Sequence, residues 1–374
     1  MKILRLLSSL HHNEDERSIL KLTRSLVKQG HQSLIIASTD PNHEFAERLK
    51  EQGSSYTQLY LEKNSWLTLI SVFGVWRQIR QFRPDIIHIH SRTPAWIVKW
   101  ALNLIAEDYR PITVATIYGY YPVNAYNKAI FDVDHLISVS NSVSAHIKQH
   151  HKEYDDGRIT RIYRGVDSQK YVYRHQPSVH WLHQVFAEYP ELEHKKWLIF
   201  PYEIDGQTGQ HWLIDIIGNL KHTMPNLHIV IMDDDSNPSM YFEEFVQRLT
   251  ALNLQKYMTF IGKRDDVREW LCSASLVLGL ANEPESIGMS VLKAVHLGTP
   301  VVAWHHGIYK ELLRQLYPQG LVHQQTAHAL CEVVQARLDA KERPALTTQF
   351  SQKQTVEQII ALYERLLATR ENSK

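Results

Sequence analysis

The sequence NEPESIGMSVLKAVHLGTP, residues Asn282 to Pro300, decides the fold class of this chain. An acidic turn that contains proline is followed by Gly288, by an apolar run with helical spacing and by a Gly-Thr-Pro turn. The residues before it, 273–281, and those after it, 301–303, are typical of buried strands. Strand, acidic loop, helix, turn and strand make a βαβ unit. Because open α/β sheets bind ligands at the carboxyl ends of their strands, we predict a ligand site in this loop.

Two residues of the loop carry the first functional hypothesis. Gly288 allows backbone to approach a bound group at a helix N-terminus, which favours anions. Glu285 either holds the bound group or caps the helix that we expect to begin near Ser286, since carboxylates are favoured at helix N-termini. The residues themselves leave both roles for Glu285 open.

Length and composition favour a globular protein of two domains. The chain has 374 residues, 44% of them hydrophobic and 22% charged, with a net charge of +1. This charge excludes the basic footprint of a nucleic-acid-binding protein. Two cysteines, Cys272 and Cys331, give neither a disulfide framework nor a metal-ligand spacing, so we expect a reducing compartment. We also expect no metal and no cofactor.

The sequence predicts a cytoplasmic location, because the first residues lack a signal-peptide core and no apolar run reaches 18 residues. Residues 66–82 (WLTLISVFGVWRQIRQF) are apolar and end in basic residues. This segment is either a helix packed on a sheet or a peripheral contact with a membrane surface. His88 and His90 share one face of a predicted strand but have no nearby third ligand, so they do not indicate a metal site.

Strands and helices alternate along the chain, which is typical of parallel, doubly wound sheets. The alternation stops at residues 168–196 and begins again at Trp197. We therefore predict two Rossmann-like domains facing each other across a cleft, the first spanning residues 1–165 and the second residues 166–354. The remaining long segment, residues 355–371, is predicted to be an amphipathic helix.

Several motifs in fixed order together resemble one family. These motifs are Gly30-His31, Pro84-Asp85-Ile-Ile-His88-Ile-His90, Tyr118-Gly119-Tyr-Tyr-Pro122, Ile137-Ser-Val-Ser-Asn141, Arg164-Gly-Val-Asp167, Pro284-Glu285-Ser286-Ile287-Gly288 and Gly298-Thr-Pro-Val-Val302. In this order the chain resembles the retaining, nucleotide-sugar-dependent glycosyltransferases of family four, which have the GT-B fold. The resemblance implies a donor site mostly on the second domain, an acceptor site mostly on the first, no metal, and a final helix that crosses back to the first domain.

The resemblance also implies donor-site residues in the second domain. The family's two glutamates, which have seven residues between them, correspond to Glu285 and to Lys293 here. Its donor-diphosphate Arg and Lys correspond to Glu203 and Thr208, the latter followed by the expected glycine, Gly209. A lysine cannot accept hydrogen bonds from ribose hydroxyls, so Lys293 departs from the family's pattern.

In the first domain, the family's glycine-rich first loop corresponds to Asn13-Glu14, and its strand-end histidine to Tyr118. His90 ends the preceding strand, and Arg164 opens the turn at the crossing between domains. Tyr118 either contacts the donor sugar or acceptor through its hydroxyl or fills a cleft that binds no donor. We assign Asn13, Glu14 and His90 to the acceptor side or the first loop.

The changed charges bear directly on chemistry. A departing diphosphate needs preorganised cations, and Glu203 reverses the charge of one of them. The hypothesis that follows is a reversed ion pair between Glu203 and Lys293. The other cations in nearby motifs are Arg164, Lys263 and Arg264.

The sequence thus supports two functions. The first is a glycosyltransferase that moves a hexose-like sugar, with retention, from a nucleotide-activated donor to a surface glycan of the lipopolysaccharide or capsule type. Glu285 and Tyr118 would be its catalytic residues. The alternative is a catalytically degenerate GT-B protein that acts as a binding or partner subunit, which the altered donor motifs favour.

Overall fold

The computed structural model describes residues 1–8, 13–38, 43–61, 67–106, 109–122, 124–151, 157–233, 239–340 and 342–372, with backbone alone at 13–17, 43–46 and 67. It divides into two compact units. The first unit comprises Met1–Gly165 and Gln352–Lys374, and the second comprises Val166–Ser351.

The first unit is built on a sheet of seven parallel strands. They are β1 (Lys2–Leu7), β2 (Gln32–Ala37), β3 (Ser55–Gln58), β4 (Ile86–Ile89), β5 (Ile112–Ile117), β6 (His135–Ser138) and β7 (Ile159–Arg161), in the order β3-β2-β1-β4-β5-β6-β7. The central strands are apolar and buried along their whole length, which is what a parallel sheet covered on both faces requires.

Seven helices belong to the described part of this unit. They are α1 (Asn13–Lys28), α2 (His43–Glu51), α3 (Leu67–Phe82), α4 (Arg92–Asn103), α5 (Ala125–Phe131), α6 (Asn141–His150) and, from the end of the chain, α14 (Gln352–Asn372). Helix α14 packs beside α1 and contributes Val356, Ile360 and Tyr363 to the core under the sheet. The predicted amphipathic C-terminal helix therefore forms, and its contacts make it part of the first unit's core.

The second unit repeats the plan with six parallel strands. They are β8 (Lys196–Phe200), β9 (Leu227–Ile231), β10 (Met258–Phe260), β11 (Leu276–Gly279), β12 (Val301–Trp304) and β13 (Leu321–Val322), in the order β10-β9-β8-β11-β12-β13. Its helices are α7 (Val179–Glu188), α8 (His211–Leu220), α9 (Met240–Ala251), α10 (Val267–Ser273), α11 (Met289–Leu297), α12 (Gly307–Leu316) and α13 (Ala327–Asp339).

Both strand orders change direction once, which confirms the predicted pair of doubly wound, Rossmann-like domains. The change falls between β1 and β4 in the first unit and between β8 and β11 in the second. Ligand sites of such sheets lie beyond the carboxyl ends of the strands at this point. The sequence analysis did not predict α12 or β13; α12 begins at Gly307 and β13 has only two residues. Within the described residues, no helix is both long enough and apolar enough to cross a bilayer.

Candidate functional site

The acidic loop of the second unit leads from β11 to α11, at the point where the strand order changes. Helix α11 begins at Met289, and its N-cap is Gly288 in the left-handed conformation, with φ of 62° and no side-chain cap. A Cβ at Gly288 would lie 2.8 Å from Cγ2 of Ile308, so the position requires glycine both for its backbone angle and for its packing. The expectation that the helix begins near Ser286 with Glu285 as its cap is wrong, because the left-handed Gly288 delays the first helical turn.

Glu285 is held in place through its backbone. Its carbonyl oxygen accepts a hydrogen bond from the amide of Ile308 at 2.9 Å. Gly307, with φ of 50°, allows this approach, since a Cβ there would lie 2.6 Å from the same oxygen. The side chains of Glu285, Ser286 and Ile287 are half-buried. The loop is therefore fastened to the start of α12 and still presents its side chains partly to solvent.

Two tyrosines lie near the Glu285 carboxylate. The hydroxyl groups of Tyr202, which follows β8, and Tyr309, on α12, are 2.6 Å apart. Burial, together with the negative charge of Glu285, raises the pKa of Tyr202 and that of Tyr309 well above the ordinary value. Both phenols are therefore neutral. Because the hydrogen bond between them uses one hydroxyl proton, one hydroxyl remains able to donate beside the acidic loop.

A turn between β8 and α8 lies against this loop. Oδ1 of Asp205 accepts from the amides of Gln207 and Thr208 at 2.9 and 3.0 Å, and Oγ1 of Thr208 donates to the carbonyl of Glu203 at 2.9 Å. Gly209 has φ of 82°, and a Cβ there would lie only 1.8 Å from the carbonyl oxygen of Leu280. The turn thus depends on close packing against the end of β11.

Hydrogen bonds join the turn directly to the acidic loop. The amide of Asn282 donates to the carbonyl of Gln207 at 2.9 Å, and Nε1 of Trp212 donates to Oδ1 of Asn282 at 3.2 Å. The segments that correspond to the family's diphosphate and sugar motifs are therefore one connected structure, although two of their charges have changed.

The charged residues of these motifs do not form the ion pair between Glu203 and Lys293 that we hypothesised. Glu203 pairs with Lys263 at 2.9 Å, and the two side chains are 61% and 79% exposed. Lys293 is 7% exposed on α11, and its Nζ lies 5.5 Å from the ring centroid of Tyr171. Glu203 therefore pairs with Lys263 and not with Lys293 as we expected. Lys293 instead makes a cation–π contact with Tyr171.

A second cluster lies at the strand ends of the first unit. The hydroxyl of Tyr118, directly after β5, is 2.8 Å from Nδ1 of His90, directly after β4. Burial, with the nearby charges of Arg5 and Arg164, lowers the pKa of His90 to about 3. His90 is therefore neutral at physiological pH and acts through hydrogen bonding.

Beneath this pair lies a buried polar chain. The ring of His88 is 4.0 Å from that of His90, and its Nδ1 and Nε2 lie 2.6 Å from Tyr363 Oη and 2.7 Å from Thr116 Oγ1. His88 is completely buried, and its pKa is well below the ordinary value because of that burial. The chain connects the C-terminal helix α14 to the strand end that carries Tyr118. Sequence reasoning missed Tyr363, whose position on the inner face of an amphipathic helix was the available signal.

The remaining residues of the sequence analysis are placed as follows. Arg164 follows β7 in the first unit and is half-buried. Asn13 and Glu14 open helix α1 instead of forming a loop, and their side chains lie outside the described residues. Asp233, which follows β9, accepts a hydrogen bond from the amide of Ile204 through Oδ2 at 2.7 Å. Among the described residues, no three His, Cys, Asp or Glu side chains are grouped as metal ligands.

Tyr309 and Lys263 are two further site residues for which sequence reasoning gave no role or a secondary one. Tyr309 was missed because α12 was missed; the apolar spacing of residues 308, 309, 312 and 313 was the signal. Lys263 was named only as one of several nearby cations. Its pairing with Glu203 depends on the parallel strands β8 and β10 having their carboxyl ends at the same end of the sheet, which spacing in sequence does not reveal.

Comparison with known proteins identifies the family of both units. Residues 16–170 match the model of Glycosyltransferase Family 4, and residues 195–339 match that of Glycosyl transferases group 1. A curated relative, the N-acetyl-alpha-D-glucosaminyl L-malate synthase of Bacillus anthracis, is 23% identical over 316 residues, which cover 78% of this chain and 77% of the relative.

Solved structures share the fold over the whole chain. A glycosyltransferase from Rickettsia africae has a TM-score of 0.79 at 18% identity, covering 98% of each chain. Anabaena Alr3699/HepE, solved in complex with UDP and glucose, has a TM-score of 0.71 at 18% identity and covers 100% of each chain. The chain is therefore a glycosyltransferase of the GT-B fold, with a Family 4 domain followed by a group 1 domain.

Proposed function

We propose that this glycosyltransferase moves a hexose-like sugar from a nucleotide diphosphate donor to a hydroxyl of a surface glycan of the lipopolysaccharide or capsule type, with retention, at the inner face of a membrane. The observation that carries the donor assignment is the left-handed Gly288 at the N-terminus of α11, beside Glu285. Amide groups of a first helical turn, with the positive end of the helix dipole, suit a diphosphate.

Relatives support the classes of donor and acceptor. The Anabaena protein has been solved with UDP-glucose as well as with UDP. Another structure of similar fold is the lipopolysaccharide outer core galactosyltransferase WaaB, with a TM-score of 0.65 at 12% identity. The first supports a nucleotide-sugar donor, and the second supports a surface-glycan acceptor.

Glu285 takes the role of binding donor-sugar hydroxyls. Its carboxylate is half-buried beside the neutral phenols of Tyr202 and Tyr309, and this hydrogen-bonded pair has one hydroxyl proton left to donate in the same region. Ser286 and Ile287 would line the same pocket. Holding the sugar in one orientation is how such a loop lowers the barrier to transfer.

In this proposal, Lys263 and Lys293 supply the positive charge that the family's Arg and Lys provide and that this chain lacks at those two positions. Lys263 neutralises Glu203 at 2.9 Å and so removes much of the repulsion that this carboxylate would exert on a diphosphate. Lys293, on the helix whose N-terminus is proposed to hold the phosphates, adds a positive charge near the site. Thr208 and Gly209 would approach the phosphates through the backbone of their turn.

The first unit contributes the acceptor side in this proposal. Tyr118 would line the centre where the sugar is transferred, and neutral His90 would position its hydroxyl through the 2.8 Å hydrogen bond. Arg164 and the start of α1, with Asn13 and Glu14, would complete this side.

Calorimetric titration with UDP, GDP, ADP and their hexose derivatives tests the donor assignment. We expect micromolar binding of at least one nucleotide, and weaker binding of its sugar derivative by Glu285→Ala, because the sugar contact is lost. A matched control is Glu283→Ala, an exposed carboxylate of the same loop. If a folded sample bound none of these nucleotides, the nucleotide-sugar assignment would be wrong. Binding without transfer to any tested glycan would favour the alternative of a binding subunit.

A further inference from the structure

Helix α3 of the first unit exposes an unusually apolar face. The side chains of Leu69, Ile70 and Phe73 are 70%, 54% and 63% exposed. On the neighbouring helix α4 and just after it, Trp100 and Leu104 are 57% and 51% exposed. Single exposed apolar residues are ordinary, but five on two packed helices form a patch of the kind that marks an interaction surface.

The two helices hold this patch as one surface. Nε1 of Trp76 on α3 donates to the carbonyl of Leu104 at 3.2 Å. Residues 69, 73, 76 and 80 follow the three- and four-residue spacing of a single helix face. The exposed apolar side chains therefore belong to one continuous face, which we call the α3–α4 face.

The same face becomes basic toward the end of α3. Arg77, Arg80 and Arg83 are exposed, and α3 contains no Asp or Glu. None of the three arginines forms an ion pair with a residue that the structure describes. The guanidinium groups of Arg80 and Arg83 lie 5.2 Å and 4.9 Å from the ring centroids of Trp76 and Tyr109. Since the chain's net charge is only +1, this concentration of positive charge is a local feature.

Two grooves lie beside the α3–α4 face, one along its apolar half and one along its basic half. One of about 610 Å³ runs beside the apolar half and is lined in part by Leu59, Tyr60, Phe73 and Trp76. Another of about 400 Å³ runs beside the basic half, where Arg80 and Arg83 line it together with Leu104, Ile105, Ala106 and Tyr109. Two arginines at the edge of a polar groove suit a phosphate group, and they lie next to apolar side chains that suit acyl chains.

We propose that the α3–α4 face docks on an anionic phospholipid bilayer. Phe73, Leu69 and Trp100 enter the boundary between headgroups and acyl chains, while Arg80 and Arg83 bind lipid phosphates in the groove beside them. The combination of apolar side chains with basic residues is what interfacial helices need, because either attraction alone gives weak binding. This inference gives the proposed membrane location a specific surface, and it does not depend on which donor the second unit binds.

Vesicle flotation with the full chain tests the proposal. We expect binding to vesicles of phosphatidylcholine with phosphatidylglycerol, much weaker binding to phosphatidylcholine alone, and weakening as salt is raised. Arg80→Ala/Arg83→Ala should reduce partitioning roughly 20-fold, since each basic residue near an anionic surface contributes about fivefold. Leu69→Ser/Phe73→Ser should reduce it about tenfold or more.

Matched controls come from the second unit. Val179→Ser/Met240→Ser removes apolar side chains that are 69% and 72% exposed, and Lys195→Ala/Arg343→Ala removes two exposed cations. Both controls should bind vesicles as the unaltered chain does. All these side chains are exposed, so the thermal midpoint of each variant should be unchanged, and the nucleotide that binds the unaltered chain best should bind every variant with the same affinity.

Three results would overturn the proposal. One is the absence of binding to any vesicle, and another is equal binding by the α3–α4 variants and the unaltered chain. The third is that the chain does not bind vesicles but forms a dimer in sedimentation, and that Phe73→Ser abolishes this dimer. A second copy of the chain would then be the occupant of this face. Inorganic phosphate should not displace the protein from vesicles, because it lacks the acyl chains.

Discussion

Two candidate regions, one in each unit, are held in place by different means. The acidic loop and turn of the second unit are positioned by close contacts that only glycine permits, with backbone at Gly209 and Gly307 and with the side chains of α12 at Gly288. The strand-end cluster of the first unit is positioned by side chains, through hydrogen bonds among His88, His90, Tyr118 and Tyr363. The loop should therefore tolerate altered charges but not an added methyl group, whereas the cluster should be sensitive to the loss of a single polar atom.

The largest expected effect is that of Gly209→Ala. The added Cβ would lie 1.8 Å from the carbonyl oxygen of Leu280, at a left-handed backbone angle. We expect the free energy of unfolding to fall by about 3 kcal/mol or more, because the backbone of the turn must move away from Leu280. Thermal unfolding should show a midpoint lowered by at least about 6 °C. Gly218→Ala is the control, since a Cβ there meets nothing within 4 Å and alanine favours the helix. Equal midpoints for the two variants would contradict the proposed tight packing.

The pH dependence of stability tests the strand-end cluster. His90 has a pKa lowered to about 3 in the folded protein, so between that value and its ordinary pKa of 6.5 the unfolded chain binds more protons. The contribution of neutral His90 to the free energy of unfolding is fully present above pH 6.5. It is lost as pH falls toward 3, with a slope of up to about 1.4 kcal/mol per pH unit. The difference between the unaltered chain and His90→Gln in urea unfolding should therefore shrink as pH is lowered from 7 to 5. A difference independent of pH would show that His90 protonates normally when folded.

A smaller effect is expected for Tyr363→Phe. This change removes the hydroxyl that lies 2.6 Å from Nδ1 of the fully buried His88, leaving a buried polar atom without its partner. The cost should be about 1–2 kcal/mol in the free energy of unfolding. Tyr241→Phe, at a tyrosine that is 44% exposed, should cost far less. If both variants unfolded alike, the buried chain from α14 to β4 would not stabilise the first unit.

The smallest effect concerns the pair of Glu203 and Lys263. Because both side chains are largely exposed, breaking the pair should change folding stability by less than about 1 kcal/mol. If a diphosphate binds nearby, Glu203→Gln should strengthen nucleotide binding a few-fold and Lys263→Gln should weaken it. Calorimetry on the two variants checks the opposite signs. Changes of the same sign would place the diphosphate elsewhere.

Most of the fold follows from local sequence, because apolar strands and helices alternate with glycine-terminated turns. The exceptions have physical causes. Helix α12 begins at Gly307, directly after His306, whose side chain makes no cap hydrogen bond, so the usual sequence signal of a helix start is absent. Helix α11 begins later than predicted, because Gly288 adopts a left-handed angle that sequence spacing does not reveal. Strand β13 has two residues, too few for any periodic signal.

The candidate site could be predicted in part. The positions of Glu285, Gly288 and Tyr118 follow from their places after strands of a doubly wound sheet. The pairing of Glu203 with Lys263 and the contact of Lys293 with Tyr171 depend on tertiary neighbours far apart in sequence, so charge swaps alone suggested a different pair. The link from Tyr363 to His88 joins residues 275 positions apart, and no local pattern indicates it.

The most direct test of the central claim is a calorimetric titration of the unaltered chain and of Gly288→Ala with the nucleotide that binds best in the panel. The claim is that the N-terminus of α11 holds the donor diphosphate. It predicts micromolar affinity for the unaltered chain and at least about tenfold weaker binding by Gly288→Ala. An alanine at this left-handed position strains the N-terminus of α11 and brings its Cβ within 2.8 Å of Cγ2 of Ile308. Gly218→Ala should bind as the unaltered chain does. Equal affinity of a folded Gly288→Ala variant would contradict the account.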